Sequence, residues 1–427
     1  MLSDSEVRDI KDALSHHVRT QCQIAADHGV SRSLISDIAT GRVHATVGLT
    51  IGRKKVKEAK HDPTNARIVE LEEEIVHLTD ERNRSNARVK AGAKVGGLFR
   101  AIVKEMDSRV QPITALPTAY RPGRRSRITE HCVLNLSDWH ADAVVRPEEV
   151  GGIEEFNFPI ACRRAEHLIE STIDWTQNTL AHSFDFPVLW MLVYGDLSSG
   201  TIHGAAERSY YRNQFQNSSA IGTLFSFMVR DLAPHFGQVN VVCVSGNHGR
   251  TTPKKDFHGS QENFDYLIAE IARVQCRNIR NVSWFIPNSW SVNLDINGIG
   301  VNVSHGDDVG SNGGMPFYAM QRKQKNLIAI NSIQGGQRLR YYLRGHHHVS
   351  ASLSDMDGEA IYNGAWPGTD QFAYNQLSGY REPCQLLMGM HNKYGVSWRL
   401  PIKLKTPDEK KGPHRYKIDR GREVGPL

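Results

Sequence analysis

The chain has 427 residues, a hydrophobic share of 39% and a formal charge of +6. That length calls for more than one folded unit and that apolar share supplies a core, so a disordered or fibrous chain is excluded. No apolar run can cross a bilayer, the most apolar stretch being 187–194, and Asp4, Glu6, Arg8 and Asp9 break the segment where a signal peptide would need its apolar run. The six cysteines are scattered without a C-x-x-C pair and read as reduced thiols. A soluble cytoplasmic protein with no membrane partner is expected. The charge is uneven: residues 1–127 hold 23 Lys/Arg against 16 Asp/Glu, the remainder 29 against 30. An anionic partner, nucleic acid first, is therefore expected at the N-terminal end.

Residues 5–14 place Val7, Ile10 and Leu14 at helical spacing, and two shorter helices are predicted around Gly29. Within 21–40, Ala25, Gly29 and Ile35 fall where a helix-turn-helix needs a small residue, a turn glycine and a core aliphatic, and Val30 and Ile38 complete the buried face. Ser31 is placed to cap the second helix, leaving Arg32, Ser33, Ser36 and Asp37 facing outward. The pattern resembles the helix-turn-helix modules of phage and mobile-element proteins, which implies DNA contact through Arg32, Ser33 and Ser36. A three-helix bundle of other purpose would want the same small residue and glycine. The run Arg53, Lys54, Lys55, Lys57 and Lys60 would add phosphate contacts, or is a solvated linker.

From 65 to 89, Ile68, Leu71, Ile75 and Leu78 recur at three- and four-residue steps among charged residues, predicting a helical stalk whose stripe offers a homodimer seam. Pro112, Pro117, Pro122, Gly123 and the arginines 121, 124, 125 and 127 mark a basic linker. The expected organisation is a helix-turn-helix domain at 1–60, a stalk at 61–110, a linker at 111–127, a main domain at 128–402 and a basic, loosely ordered tail at 403–427.

Past Ile128 short apolar runs alternate with helical segments. Strands are predicted at 131–136, 188–194, 239–244, 299–304, 341–343, 385–390 and 396–402, with helices at 159–180, 217–232 and 261–274. The fold class expected is α/β, a two-sheet α/β sandwich preceded by the small all-α unit and its stalk.

Five short motifs follow those strands: Asp138-Trp139-His140, Gly195-Asp196, Gly246-Asn247-His248, His305-Gly306 and Gly345-His346-His347-His348. Oxygen and imidazole donors without thiolate suit open coordination of Mn, Fe or Zn. In kind and order the motifs resemble the calcineurin-like metallophosphoesterase superfamily, over about residues 128–402. The resemblance implies two divalent metal ions, Mn first, with Fe, Zn or Mg as alternatives. Asp138, His140 and His348 would hold one, Asn247, His305 and His346 the other, and Asp196 would bridge. Two cations about 3.5 to 4 Å apart suit in-line phosphoryl displacement by an activated hydroxide. The resemblance makes His248 the catalytic histidine facing the substrate, and His347 reads as a spacer turned away from the ligands.

Many relatives carry an acidic residue after the G-N-H histidine; here Gly249 stands there, so another group must orient His248, with Asp307 and Asp308 as candidates by chemistry. Gly249-Arg250, Asn363-Gly364 and Trp366-Pro367-Gly368 are similar to a subgroup of phage-encoded phosphoesterases labelled as DNA repair nucleases. His203, Arg208, Tyr210, Tyr211 and Arg212, with Arg250, Lys254 and Lys255, suit a nucleic-acid strand, the aromatics stacking on bases and the cations tracking phosphates. The same residues would also serve as packed tyrosines and solvated charges, and His203 as a turn cap. The phosphomonoester-gripping arginines of the protein phosphatase branch are missing: Asp196 is followed by Leu197, Ser198, Ser199 and Gly200, and Ser245 precedes Gly246. The sequence thus points to a phosphodiesterase or nuclease acting on DNA. The alternatives are a phosphodiesterase of small nucleotides or cyclic phosphodiesters, and a catalytically silent DNA-binding scaffold.

Overall fold

The computed structural model describes residues 2–15, 20–39, 63–121, 127–202, 209–211, 213–252, 259–309, 317–356, 358–376, 379–407, 409 and 415–418. The basic run 53–60 and His203, Arg208, Arg212, Lys254 and Lys255 lie outside those residues. The chain divides into two compact units, Met1–Asp80 and Glu81–Leu427.

In the first unit, helices α1 (Asp4–Ser15), α2 (Gln21–Asp27) and α3 (Arg32–Ala39) gather around Val7, Ile10, Ile24, Ala25, Ile35 and Ile38. Thr20 and Gln23 form a reciprocal cap on α2, and the Leu34 amide donates to Ser31 Oγ at 3.3 Å on α3. Gly29 takes a φ of 63°, the left-handed turn that only glycine adopts without strain. Arg32 and Ser33 are exposed and Ser36 is half-buried.

Helix α4 runs Pro63–Arg109. The side chains of Ile68, Leu71 and Ile75 lie outside what is described; Leu78 is exposed. Further along α4, Phe99 and Val103 are buried against Phe264, Tyr266, Leu267 and Ile271, so this part of the helix belongs to the main body. The stretch read as a linker is likewise tied down: the Ile113 amide donates to Gln275 O at 2.9 Å, and the Ala119 and Tyr120 amides both donate to Pro234 O at 2.7 Å. The division falls at Asp80, inside α4, and backbone hydrogen bonds hold residues 113–120 to the main body; residues 122–126 lie outside the described residues.

The main body is built on two sheets. Six strands, β1 (Ile128–Leu136), β2 (Phe184–Tyr194), β3 (Gln238–Val244), β4 (Val282–Phe285), β10 (Cys384–His391) and β11 (Gly395–Lys403), lie in the order β11-β10-β1-β2-β3-β4, with β1 to β4 parallel. Five strands, β5 (Ser291–Ile296), β6 (Ile299–Ser304), β7 (Leu339–Arg344), β8 (Ala351–Asp355) and β9 (Gly358–Tyr362), make the second in the order β5-β6-β7-β9-β8. Val133, Leu192, Tyr194, Val242 and Val244 meet Val301, Val303, Leu343 and Ile361 between the sheets. Helices α5 (Phe158–Ile173), α6 (Gln214–Leu232) and α7 (Phe264–Gln275) cover the first sheet, while α8 (Phe317–Ile333) packs Met320 against Leu339 and Tyr342 of the second. This is the expected two-sheet α/β sandwich; the predicted helix 159–180 ends as an α-helix at Ile173 and continues as a π-turn, 174–179. No described helix is long and apolar enough to cross a membrane.

Part of the tail departs from the loose order expected of it; residues 408, 410–414 and 419–427 lie outside the described residues. Leu404 and Tyr416 are buried, the Tyr416 hydroxyl donates to Asp231 Oδ2 at 2.9 Å, and Arg164, itself buried, reaches Glu154 and Glu409. Leu404 and Tyr416 join the core beside α5 and α6, while Lys403, Lys405, Arg415 and Lys417 around them stay exposed.

Candidate metal centre

Every motif lies directly beyond the C-terminal end of a strand: Asp138 and His140 after β1, Asp196 after β2, Asn247 and His248 after β3, His305 after β6, His346 and His348 after β7. Parallel neighbours β1, β2 and β3 deliver their loops to one edge, as do β6 and β7 of the facing sheet. The glycines let the loops touch. A Cβ on Gly345 would overlap Asp138 Oδ2, and one on Gly246 would overlap Asp196 Oδ1.

Asp196 Oδ2 lies 2.9 Å from His305 Nε2 and 4.0 Å from His140 Nε2. His305 Nε2 is also 3.0 Å from Asn247 Oδ1, and its Nδ1 faces Tyr194 O at 2.8 Å, which fixes the ring with Nε2 inward. On the other side His140 Nε2 and His348 Nε2 stand 3.2 Å apart, and His348 Nε2 is 3.4 Å from Asp138 Oδ1. Three overlapping donor groups result: Asp138, His140 and His348; His140, Asp196 and His248; Asp196, His305 and His346. All seven ligands expected from the sequence are brought together. Five of the six described non-glycine residues with positive φ are Asp138 (53°), His140 (39°), Asp196 (54°), His346 (66°) and His348 (55°). Left-handed backbone at such residues costs about 1–3 kcal/mol each, so its concentration here marks a functional constraint.

The chemistry of the donor set fits cations. Asp196 Oδ2 and His346 Nδ1 are buried without a hydrogen-bond partner, though the first sits beside His305; lone pairs crowd one space. Burial opposes charge on His305, but Asp196 and Asp138 outweigh it and hold the ring up at about 10, a proton standing where a cation would neutralise the carboxylates. Burial opposes charge on Asp138 as well, and His348 and His305 overcome it, taking the carboxyl down to about 2. His346 is pushed down to about 4 by burial and the His305 charge, and burial with His248 and His348 depresses His140 strongly, so both rings are neutral and ready to ligate.

Trp139, between two ligands, turns into the core and stacks on Trp366 at 4.5 Å, while the Trp366 amide donates to Asp138 O at 3.0 Å. Asn363 Nδ2 and Gln385 Oε1 brace Ser137 from behind. His347 stands 5.8 Å from the Tyr362 ring and is absent from the donor groups, in keeping with a spacer.

Several site expectations change. His248 Nδ1 faces Ser199 O at 3.0 Å, so a backbone carbonyl holds that nitrogen; Asp308 pairs with Lys323. Gly249 excludes an acid for a steric reason, because a Cβ would overlap Asn263 Oδ1 at the start of α7. Tyr211 is no stacking platform: it is buried against Phe158 and its hydroxyl donates to Ile418 O at 3.3 Å. Arg250 donates from Nε to Asn247 O at 2.9 Å, steadying the loop. His203 and Arg212 fall outside the described residues. Asp265, unmarked in the sequence reading, accepts amide hydrogens from Asp196, Leu197 and Gly246. It lies in the first turn of a helix after the third motif, the one signal that could have flagged it.

No protein-family model matches this chain, and no curated protein sequence matches it. Among solved structures it is similar to an archaeal phosphodiesterase, with 10% identity and a TM-score of 0.28 over 64% of this chain and 99% of that one. It is also similar to vacuolar protein sorting 29 of Cryptosporidium parvum, with 12% identity and a TM-score of 0.27 over 64% and 98%. A conserved uncharacterized protein of Streptococcus pneumoniae, described as a predicted phosphoesterase, gives 9% identity and a TM-score of 0.25 over 64% and 98%. At that level the likeness carries no functional weight, which rests on the side chains.

Proposed function

We propose that this chain is a metal-dependent phosphodiesterase that cleaves DNA. The observation behind this reading is the convergence of six carboxylate and imidazole donors with Asn247 at one edge of both sheets, around the buried Asp196 carboxylate. Asp138, His140 and His348 would hold one divalent ion, Asn247, His305 and His346 the other, and Asp196 would serve both. Bound there, the ions supply positive charge to phosphoryl oxygens and acidify water for attack. The chain's own part is to hold its donors in a strained, buried frame and to present His248, 4.7 Å from the His140 ring between centroids, toward the same space.

DNA as the substrate class is supported by the N-terminal unit: Arg32 and Ser33 are exposed on α3, Ser36 lies beside them, and the charge excess sits in residues 1–127. Tethering to DNA would raise the local concentration of phosphodiester at the site. The burial of Tyr211 favours a second reading, a small nucleotide or cyclic phosphodiester, since its ring is not left to stack on a base. The full donor set speaks against a silent scaffold.

Full-length protein with Mn²⁺ should cleave labelled single- or double-stranded DNA, and Asp196→Asn should abolish the activity. Cleavage that survives Asp196→Asn overturns the proposal, and hydrolysis of bis(p-nitrophenyl) phosphate without any of DNA selects the second reading.

A further inference from the structure

His248 lacks the acidic neighbour that the resemblance led us to expect, and Gly249 leaves no room for one. Two loops replace it. Ser199 O receives His248 Nδ1 at 3.0 Å, and the Ser199 amide donates to Asp142 Oδ1 at 2.7 Å. Asp142 is fully buried, Ser199 is buried with it, and among the described residues no Lys or Arg ion pair accounts for the carboxylate's burial. Its other oxygen, Oδ2, is buried without a hydrogen-bond partner, and a buried carboxylate without a counter-charge is costly.

The surroundings make the chain of contacts rigid. Asp142 sits two residues past His140, in a turn closed by the Ala143 amide on His140 O at 2.8 Å and laced to the next loop by the Ala141 amide on Leu197 O at 3.1 Å. The Tyr210 amide donates to Asp142 O at 2.8 Å from the far side. Gly200 has a φ of 67°, and a Cβ there would overlap the His248 carbonyl, so residues 199–200 are pressed against residue 248.

We infer that Asp142 is a positioning residue for His248, acting through Ser199: its carboxylate pins the Ser199 backbone, whose carbonyl then fixes the ring and keeps the Nδ1 proton in place. Proton exchange with substrate is thereby confined to Nε2, in either charge state of the ring. The inference rests on the proposed function only in taking His248 to act on the substrate. As a water oxygen adds to phosphorus and the bond from phosphorus to the leaving oxygen breaks, the proton on Nε2 passes to that oxygen, while the other proton stays on Nδ1, hydrogen-bonded to the Ser199 carbonyl.

The test uses full-length protein and two diesters: dithymidine monophosphate, whose alkoxide leaving group needs a proton, and bis(p-nitrophenyl) phosphate, whose leaving group departs without one. In Asp142→Ala, kcat on the dinucleotide should fall by about 100-fold or more, with KM and bound metal preserved and a much smaller loss on the nitrophenyl ester. Asp142→Asn, which keeps an acceptor oxygen, should recover most of the difference. Equal losses on both esters, or loss of metal, overturn the inference in favour of a merely structural role.

A second arm does not depend on turnover. In ¹⁵N-histidine-labelled, Zn²⁺-loaded protein, the ring signal that disappears in His248→Gln should report a single Nδ1-protonated tautomer, and Asp142→Ala should turn it into a mixture. An unchanged tautomer in Asp142→Ala overturns the inference, even if the wild-type protein hydrolyses neither ester and the functional reading has failed.

Discussion

The carboxylate of Asp265 accepts the amide hydrogen of Asp196 at 2.9 Å, across 69 positions of sequence. The same oxygen accepts from Gly246 at 2.9 Å, and its twin from Leu197 at 3.0 Å. One side chain in the first turn of α7 thus ties the loop carrying Asp196 to the loop carrying Asn247. Burial, with the nearby Asp196 charge, pushes its carboxyl up to about 6 against the pull of those three amides.

Removing that carboxylate strands three buried donors. Asp265→Ala should destabilise the main body by about 3–5 kcal/mol, and the displaced loops should release metal. Asp265→Asn keeps one acceptor and should lose less. Urea unfolding and metal analysis on the purified variants check both, and an Asp265→Ala protein with full metal content and an unmoved midpoint would refute the role given to this residue.

The raised His305 predicts a pH dependence. Its folded value of about 10 lies above the ordinary 6.5, so in metal-free protein the charged ring contributes stability that is fully present below about 6.5 and is lost as pH rises through 10. A cation must displace that proton. Metal affinity should therefore climb across the same window, with one proton released per His305 site near neutral pH. Titration calorimetry in buffers of different ionisation enthalpy measures the release, and an enthalpy independent of buffer would contradict it.

Gly249 offers a steric prediction. Asn263 Oδ1 receives the Asp265 amide at 2.8 Å while its Nδ2 donates to Gly246 O at 2.9 Å, so the group that a new Cβ would meet cannot step aside without loosening the site. Gly249→Asp, although it would set an acid next to His248, should lower stability by about 1–3 kcal/mol and should not raise turnover. A stable, faster Gly249→Asp variant would show that the loop yields more easily than these contacts allow.

The five motifs were legible because each is a short, local string at the end of a strongly apolar strand, and strand ends are where parallel sheets gather their loops. Edge strands β5 and β8 were not, since β5 is only partly buried and both mix polar with apolar residues. Helix α8 has no apolar stripe to read: its buried positions are Met320, Gln324 and Asn331. Tyr211 looked available because its partner, Phe158, comes from another helix, and Ser199 was invisible because a backbone carbonyl has the same chemistry at every position. The prolines and arginines of 111–127 spoke for a linker, whereas residues 113, 119 and 120 are fixed by carbonyl oxygens of Gln275 and Pro234.

The tail tests the same distinction between composition and contact. Tyr416 is fully buried beside Phe227, its hydroxyl on Asp231, while Arg415 reaches Glu166 at 2.7 Å and Glu170 at 3.1 Å. Tyr416→Ala should cost about 3–5 kcal/mol, as expected for emptying an aromatic site in a core. Tyr416→Phe should cost only about 1–2 kcal/mol, because Asp231 keeps Arg230 at 2.7 Å when the hydroxyl goes. Since Ile418 O accepts from Tyr211, the alanine variant should also expose the backbone around residue 211 to hydrogen exchange, whereas the phenylalanine variant should not. If Tyr416→Ala unfolds at the wild-type urea midpoint, the tail is a passive extension and its buried ring adds nothing to the fold.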